Sequence, residues 1–332
     1  MKAARGPGEA PPPARYGGYL AGLAGGLLAS AVLFAGALLA LERTGHLPPP
    51  AFSNSLCVDE KLSFLRDHRP SRPDLLVIGS SVAWRHVDGV ALAAGEGGAR
   101  PLNGAFCGLH ANQSVYVADW LLDREPAVRQ VVMIVDPQDF AGCSRQREAV
   151  FDRADADAYV YGQASPWPSY LRYFAPLSLA RNALKVKAQR EAVLEMDPLV
   201  FTRFGDGPLT TEKSRGLFYG PPEPLDEACF AALGRLAGRL AAEGRSLTVV
   251  STPLHPAWKA EMDPDGALLA DFDRRLEAAL GDPPTHAYWD ADDEWRPEPA
   301  LFVDAIHLRW RAVQDFSVAL AARLERGAAV SR

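Results

Sequence analysis

Asp74-Leu75-Leu76-Val77-Ile78-Gly79-Ser80-Ser81 is the stretch on which the reading of this chain turns. An unbroken apolar run between a charge and a glycine predicts a strand over Asp74–Gly79 that is buried on both faces, as strands of a parallel sheet are. The Gly-Ser-Ser after it predicts a tight turn opening a helix, which lifts the Ser81 hydroxyl over the sheet edge beside unpaired helix-start N–H groups. Gly and Ser also serve such turns simply as turn and cap residues. The segment is not a GxSxG elbow, because Ala83 stands where the second glycine would be.

Outward from this strand the same texture recurs. Short strands are predicted near Pro101–Asn103 and at Gln130–Asp136, Ser246–Ser251 and, more weakly, His286–Asp290. Helical spacing covers Asp226–Glu243, Asp265–Leu280 and about Arg309–Arg326. The alternation predicts an α/β fold with a mostly parallel sheet and crossover helices. Between the third and fourth strands, about 141–225, no strand pattern occurs and Leu177–Met196 reads as a helix. Loops in such folds usually run about 2–6 residues, so this is an insertion. It leaves from the carboxyl edge of the sheet, where ligands bind, and is either a substrate cap or a passive packing element.

Before the domain, Tyr16 to Leu41 contains no charged residue. As a helix it is long enough to cross a hydrocarbon core of about 30 Å. Lys2, Arg5 and Arg15 outweigh Glu9 on its N-terminal side, which predicts a cytoplasmic tail over 1–15 and an extracytoplasmic domain. A cleaved signal peptide is the rival, but its apolar region is normally about 7–15 residues, so an uncleaved anchor is expected. Gly18, Gly22 and Gly26 repeat every fourth position, either as a face for another membrane helix or as part of a small-residue helix. Residues 42–72, including Pro48, Pro49 and Pro50, read as a stiff spacer and lead-in to a domain over 73–326, followed by a short tail at 327–332.

All four cysteines follow the apolar run: Cys57, Cys107, Cys143 and Cys229. Outside the cytoplasm they suit two disulfides, Cys57–Cys107 and Cys143–Cys229 being the expected pairing among three; buried thiols are the alternative. With 332 residues, 48% hydrophobic and 23% charged, and a net charge of -6, the chain has no basic cluster suited to nucleic acid. Its seven His are scattered without CxxC, HExxH or a close pair, so neither a metal nor another cofactor is expected.

Near the other end stands Phe302-Val303-Asp304-Ala305-Ile306-His307-Leu308. Asp304 and His307, just ahead of the last helix, have a spacing at which a carboxylate can orient an imidazole and the imidazole can serve as base for a serine. The alternative is a helix-capping Asp with a His packed on Trp310. His255, between prolines past the fourth strand, is either a substrate contact or a structural histidine.

A Gly-x-Ser after the first buried strand together with Asp-x-x-His before the last helix resembles the SGNH (GDSL-like) hydrolases, over about Pro73 to Arg326. The resemblance implies a three-layer α/β/α sandwich with a flavodoxin-like five-stranded sheet. It implies Ser81 as nucleophile, Ser80 where an Asp often sits, and Asp304 and His307 as its partners. The oxyanion hole would take the Ser81 and Gly108 amides, with Gly104 as fallback for the second. The family's third block, GxND, is replaced by Val135-Asp136-Pro137-Gln138-Asp139-Phe140. No Asn completes the hole there; an ionised Asp would repel an oxyanion, and Gln138 is the remaining donor. Anchor, spacer and domain together are similar to envelope proteins of polysaccharide O-acetylation and teichoic-acid D-alanylation. That likeness implies an acyl ester or glycan substrate and a multi-spanning acyltransferase partner. A plain esterase or lipase-like hydrolase, or a non-catalytic scaffold, are the alternatives.

Overall fold

The computed structural model describes residues 16–330 apart from 96, 191–198, 221–222 and 282–284. The expected tail at 1–15, the end of the predicted helix beyond 190 and the last two residues lie outside this set. Five strands form the sheet: β1 (Leu75–Gly79), β2 (Pro101–Asn103), β3 (Gln130–Val135), β4 (Ser246–Ser251) and β5 (His286–Asp290). Their order is β2-β1-β3-β4-β5, and every pairing is parallel, so the sheet is wholly rather than mostly parallel. β3 stops at Val135 because Asp136 turns to cap the 3-10 turn that follows.

The strands bury both faces by alternation. Leu76, Ile78, Val131, Met133, Leu247 and Val249 point into one apolar layer, whereas Leu75, Val77, Val132, Ile134 and Val250 point into the other. In chain order the helices are α1 (Tyr16–Arg43), α2 (Leu56–His68), α3 (Ser81–Arg85), α4 (Gly89–Ala94) and α5 (Ala111–Arg124). Within the insertion come α6 (Arg153–Val160), α7 (Trp167–Arg172) and α8 (Pro176–Arg190). There follow α9 (Glu227–Ala242), α10 (Pro256–Met262), α11 (Ala267–Leu280), α12 (Ala291–Glu294) and α13 (Trp310–Val330). Residues of α2, α5, α6, α9 and α11 fill the first layer, and those of α3, α4, α10 and α13 the second. The chain moves from β1 to β2 on one side and to β3 on the other, so the carboxyl ends of β1 and β3 form a switch point, where this class of sheet leaves a crevice.

Two expectations for the lead-in are corrected. Val58, Leu62, Phe64 and Leu65 of α2 are core residues, so 52–72 is part of the domain. Nor is the proline run a free spacer: Pro48 and Pro50 are buried, and the Tyr170 hydroxyl donates to the Pro48 carbonyl at 2.6 Å. At the other end, α13 runs through the expected tail as far as Val330. The insertion is pinned at its base by an isolated antiparallel bridge between Ala141 and Leu225. Its first helix, α6, is a packing element against α2, with Ala156 and Val160 in the core.

α1 is the one described helix long and apolar enough to cross a membrane, and most of it is exposed. Near its C-terminal end Leu38 is buried, and Phe34 meets Phe174 edge-on with ring centroids 4.9 Å apart. A Cβ at Gly18, Gly22 or Gly26 would meet nothing, so that glycine stripe faces open space.

Candidate active site

Gly79 closes β1 with φ +135°, and a Cβ there would lie 2.4 Å from the Ile134 carbonyl oxygen and 2.7 Å from the Ala83 Cβ. Only glycine passes between β3 and α3 in that conformation. Ser80 then caps α3, its hydroxyl accepting from the Val82 N–H and donating to Asp139 Oδ2 at 2.9 Å. Ser81 is thereby fixed as the first residue of α3, at the carboxyl end of β1. Its N–H lies in the first turn, where no intrahelical acceptor exists.

From the far end of the chain, an antiparallel bridge between Phe302 and Leu308 folds 302–308 into a closed loop, with the Val303 N–H bonded to the His307 carbonyl at 2.7 Å. Asp304 is the hub of that loop: its Oδ1 accepts from the Ile306 and His307 N–H groups at 3.0 and 2.8 Å. The His307 Nδ1 lies 3.0 and 2.9 Å from its two oxygens. A carboxylate only accepts, so the imidazole proton belongs on Nδ1 and leaves Nε2 as an acceptor. Nε2 faces the Ser81 Oγ at 3.0 Å. Burial pushes the Asp304 carboxyl upward, but the hydrogen bond and charge of His307 and the two backbone donors outweigh it and hold the group below the usual Asp range. The three predicted side chains thus form one hydrogen-bonded line, with Asp304 and His307 buried and Ser81 half-buried at the cleft. His307 does not pack as a helix-end residue on Trp310; its aromatic neighbours are Tyr219, at 5.8 Å between centroids, and His86, at 6.1 Å.

Ser81 and His307 open into a cleft of about 1840 Å³ that Gly108 also lines. Gly108 has φ +67° with open space where a Cβ would go. Gly104, by contrast, is excluded as the second oxyanion donor: its N–H is bonded to the Val77 carbonyl at 2.8 Å, and a Cβ would strike Leu121. Gln138 lines a depression with His110, Gly142 and Glu223 that shares Gln146, Phe218 and Tyr219 with the Ser81 cleft, and it is not among the cleft's own lining residues. Asp136 and Asp139 are turned away as well, since Asp136 caps the Gln138 and Asp139 amides while Asp139 receives the Ser80 hydroxyl. Burial raises Asp136 to about 6, and burial plus the neighbouring Asp136 charge raises Asp139 well above the carboxylate range. His255 is a capping residue: its Nδ1 accepts from the Ala257 N–H at 3.1 Å and its ring stacks edge-on to Phe302, outside the cleft.

The cysteines pair as expected, Cys57 with Cys107 and Cys143 with Cys229. The first bond ties α2 to the residue before Gly108, and the second joins the root of the insertion to α9. Among the described residues no cluster of His, Cys, Asp and Glu could hold a metal ion.

Three neighbours of the site carried no sequence signal. His86 lies behind the loop, accepting the Leu308 N–H on Nε2 at 2.9 Å and contacting the Thr252 hydroxyl through Nδ1 at 2.7 Å. Arg215, from the insertion, reaches Asp304 Oδ2 at 3.5 Å and lines the cleft. Tyr219 covers His307 from the same segment. Arg215 and Tyr219 could not be found by spacing, because the insertion folds back over the site only in three dimensions, and His86 meets Thr252 and Leu308 only in the fold. Seven lining residues of the cleft are Arg or Lys, including Arg85, Arg147, Arg172, Arg181 and Lys185, while Asp152 is the one acidic residue among those described there. No family model matches this chain, and no curated protein matches it at a significant level.

Proposed function

We propose that this chain is a membrane-anchored, outward-facing serine acyl-ester hydrolase or acyltransferase of SGNH type that acts on a cell-envelope glycan, with acetyl as the acyl group. The observation that carries the proposal is the 3.0 Å approach of Ser81 Oγ to an imidazole Nε2 whose other nitrogen is held by Asp304. His307 takes the Ser81 proton as the oxygen attacks the ester carbonyl, and Asp304 stabilises the imidazolium. Collapse of the tetrahedral intermediate expels the alcohol, which receives the proton from His307, and leaves an acyl-Ser81. A sugar hydroxyl or water, deprotonated by His307, then attacks the acyl-enzyme and restores the serine. The Ser81 and Gly108 amides bind the oxyanion.

The cleft exceeds the roughly 300–1,000 Å³ of small-molecule pockets and its walls are cationic, which supports an extended acceptor bearing carboxylate or phosphate groups over a small neutral ester. A multi-spanning acyltransferase is the partner that would supply the acyl group. The second reading, a non-catalytic scaffold, is favoured by one observation: both block-three carboxylates are used as caps, so neither supplies a donor where the family has its Asn. A fluorophosphonate probe separates the two, since it labels Ser81 of an enzyme and leaves a scaffold untouched. Ser81→Ala is expected to abolish turnover of an acetyl ester with an unchanged circular dichroism spectrum. Retained turnover would end the proposal.

A further inference from the structure

The helices α7 and α8 carry a surface that the proposed reaction does not explain. From 158 to 190 the chain contains no Asp or Glu, while Arg172, Arg181, Lys185, Lys187 and Arg190 are all cationic. Within that stretch Leu171, Phe174, Leu177 and Leu184 are 67, 57, 87 and 70% exposed. Leu177 and Leu184, seven apart, share a face of α8, while Ala183 and Val186 on the opposite side are buried in the protein. A helix that packs through one face and offers large aliphatic side chains on the other has a second apolar surroundings to meet.

The position of this face identifies those surroundings. Phe174 packs on Phe34 of α1. α1 has 28 residues, about 42 Å at 1.5 Å per residue, so an upright helix overshoots a core of about 30 Å by roughly 6 Å at each end. Phe34 lies nine residues before Arg43, roughly 13 Å below the helix end, and therefore several Å inside the hydrocarbon on that geometry. Whatever touches Phe34 shares its depth.

We propose that α7–α8 is a bilayer-seating element. Leu171, Phe174, Leu177 and Leu184 enter the headgroup–acyl boundary of the leaflet from which α1 emerges. α8 also lends Arg181, Asn182, Lys185 and Gln189 to the cleft wall, so seating holds the mouth of the Ser81 cleft at the leaflet surface. The insertion is then neither a simple lid nor passive packing. This inference rests on α1 being an uncleaved anchor.

The test uses the full chain in liposomes of phosphatidylethanolamine and phosphatidylglycerol. Leu177→Cys is labelled with a polarity-sensitive fluorophore, and Val318→Cys, exposed on α13 at the opposite face of the sheet, serves as reference. Lipids carrying a nitroxide at a shallow acyl position are expected to remove most of the Leu177 signal, with blue-shifted emission, and to leave the Val318 signal unchanged. A Leu177 label as polar and unquenched as the reference, in protein that resists alkaline carbonate extraction, overturns the seating alone. Release by carbonate overturns the anchor and the seating with it, while Ser81 labelling by fluorophosphonate still reports on the proposed chemistry. A disulfide-linked dimer of Leu177→Cys would put a second copy on the patch and overturn the proposal too.

Discussion

His86 has its tautomer fixed by its two neighbours. The Leu308 N–H can only donate, so Nε2 accepts and the ring proton sits on Nδ1, directed at the Thr252 hydroxyl. Burial first, and the nearby His307 second, push the His86 pKa well below the ordinary histidine range. In the proposed reaction a neutral His86 leaves room for positive charge on His307 during proton transfer, whereas a second cation 6.1 Å away would oppose it. It also clamps the loop that carries Asp304 and His307. His86→Ala is expected to leave the buried Leu308 N–H without its acceptor, costing about 1–3 kcal/mol of stability in urea denaturation. Ester turnover should fall at least about tenfold as the loop loosens, the equivalent of about 1.4 kcal/mol of barrier. Unchanged turnover in a destabilised variant would confine His86 to structure. Sequence reading reached Ser81, Asp304 and His307 because each sits in a short motif at a strand or helix boundary. His86 sits in no motif, and its partners Thr252 and Leu308 are far along the chain.

At the scale of elements, the strands were legible because continuous apolar runs have few other uses, and β2, β4 and β5 fall where the runs predict. α2 was not, because Asp59, Glu60 and Lys61 interrupt its apolar pattern. In the fold two of these three are buried: Asp59 accepts from the Ser53 N–H and hydroxyl at 2.9 and 3.0 Å, and the Lys61 ammonium donates to the Gly205 carbonyl at 2.7 Å. Each carries a cost. Burial, with the Ser53 hydrogen bonds opposing it, raises Asp59 to about 8, and burial raises Glu60 to about 7. A carboxyl whose folded pKa lies above its unfolded value contributes stability that is complete below the unfolded pKa and lost as pH rises through the folded one. Through these two carboxyls the domain is therefore expected to lose stability as pH rises from about 4 to about 8, while Lys61, whose ammonium burial lowers to about 7, opposes the loss above pH 7. Asp59→Asn, which keeps an acceptor for Ser53 but cannot ionise, should flatten that decline by at least about 1 kcal/mol, or about 2–4 °C in midpoint for a domain of this size. Thermal scans of both proteins at about pH 5 and about pH 8 check it, and parallel curves would exclude Asp59 as the source.

At the scale of the whole molecule, charge is separated against the average. The chain carries a net charge of -6, yet seven Arg or Lys side chains and one described carboxylate line the cleft beside Ser81. The cationic bias of 158–190 is visible along the chain, but only the fold brings its Arg172, Arg181 and Lys185 together with Arg85 of α3 and with Arg147, Arg153 and Arg215 elsewhere in the insertion. Some of the cations are partly committed, Arg172 to Asp155 at 3.0 Å and Arg215 to Asp304 at 3.5 Å, so the field is weaker than the count implies. What remains acts mainly on exposed ligands, over a distance set by the Debye length of about 10 Å at 0.1 M salt and about 3 Å at 1 M. Attraction of an anionic glycan should therefore be strong at low salt and fade as the cations cease to act together. With Ser81→Ala protein, so that no turnover consumes the ligand, a polyuronate or polyglycerol phosphate is expected to bind at least about tenfold more weakly at 1 M than at 0.1 M salt. A neutral glucan of the same length should show little change. Arg181→Ala with Lys185→Ala, both exposed on α8, should lower the low-salt affinity and shrink the salt dependence together. Equal binding of the neutral and anionic polymers would mean that the cleft's charge faces something other than the acceptor.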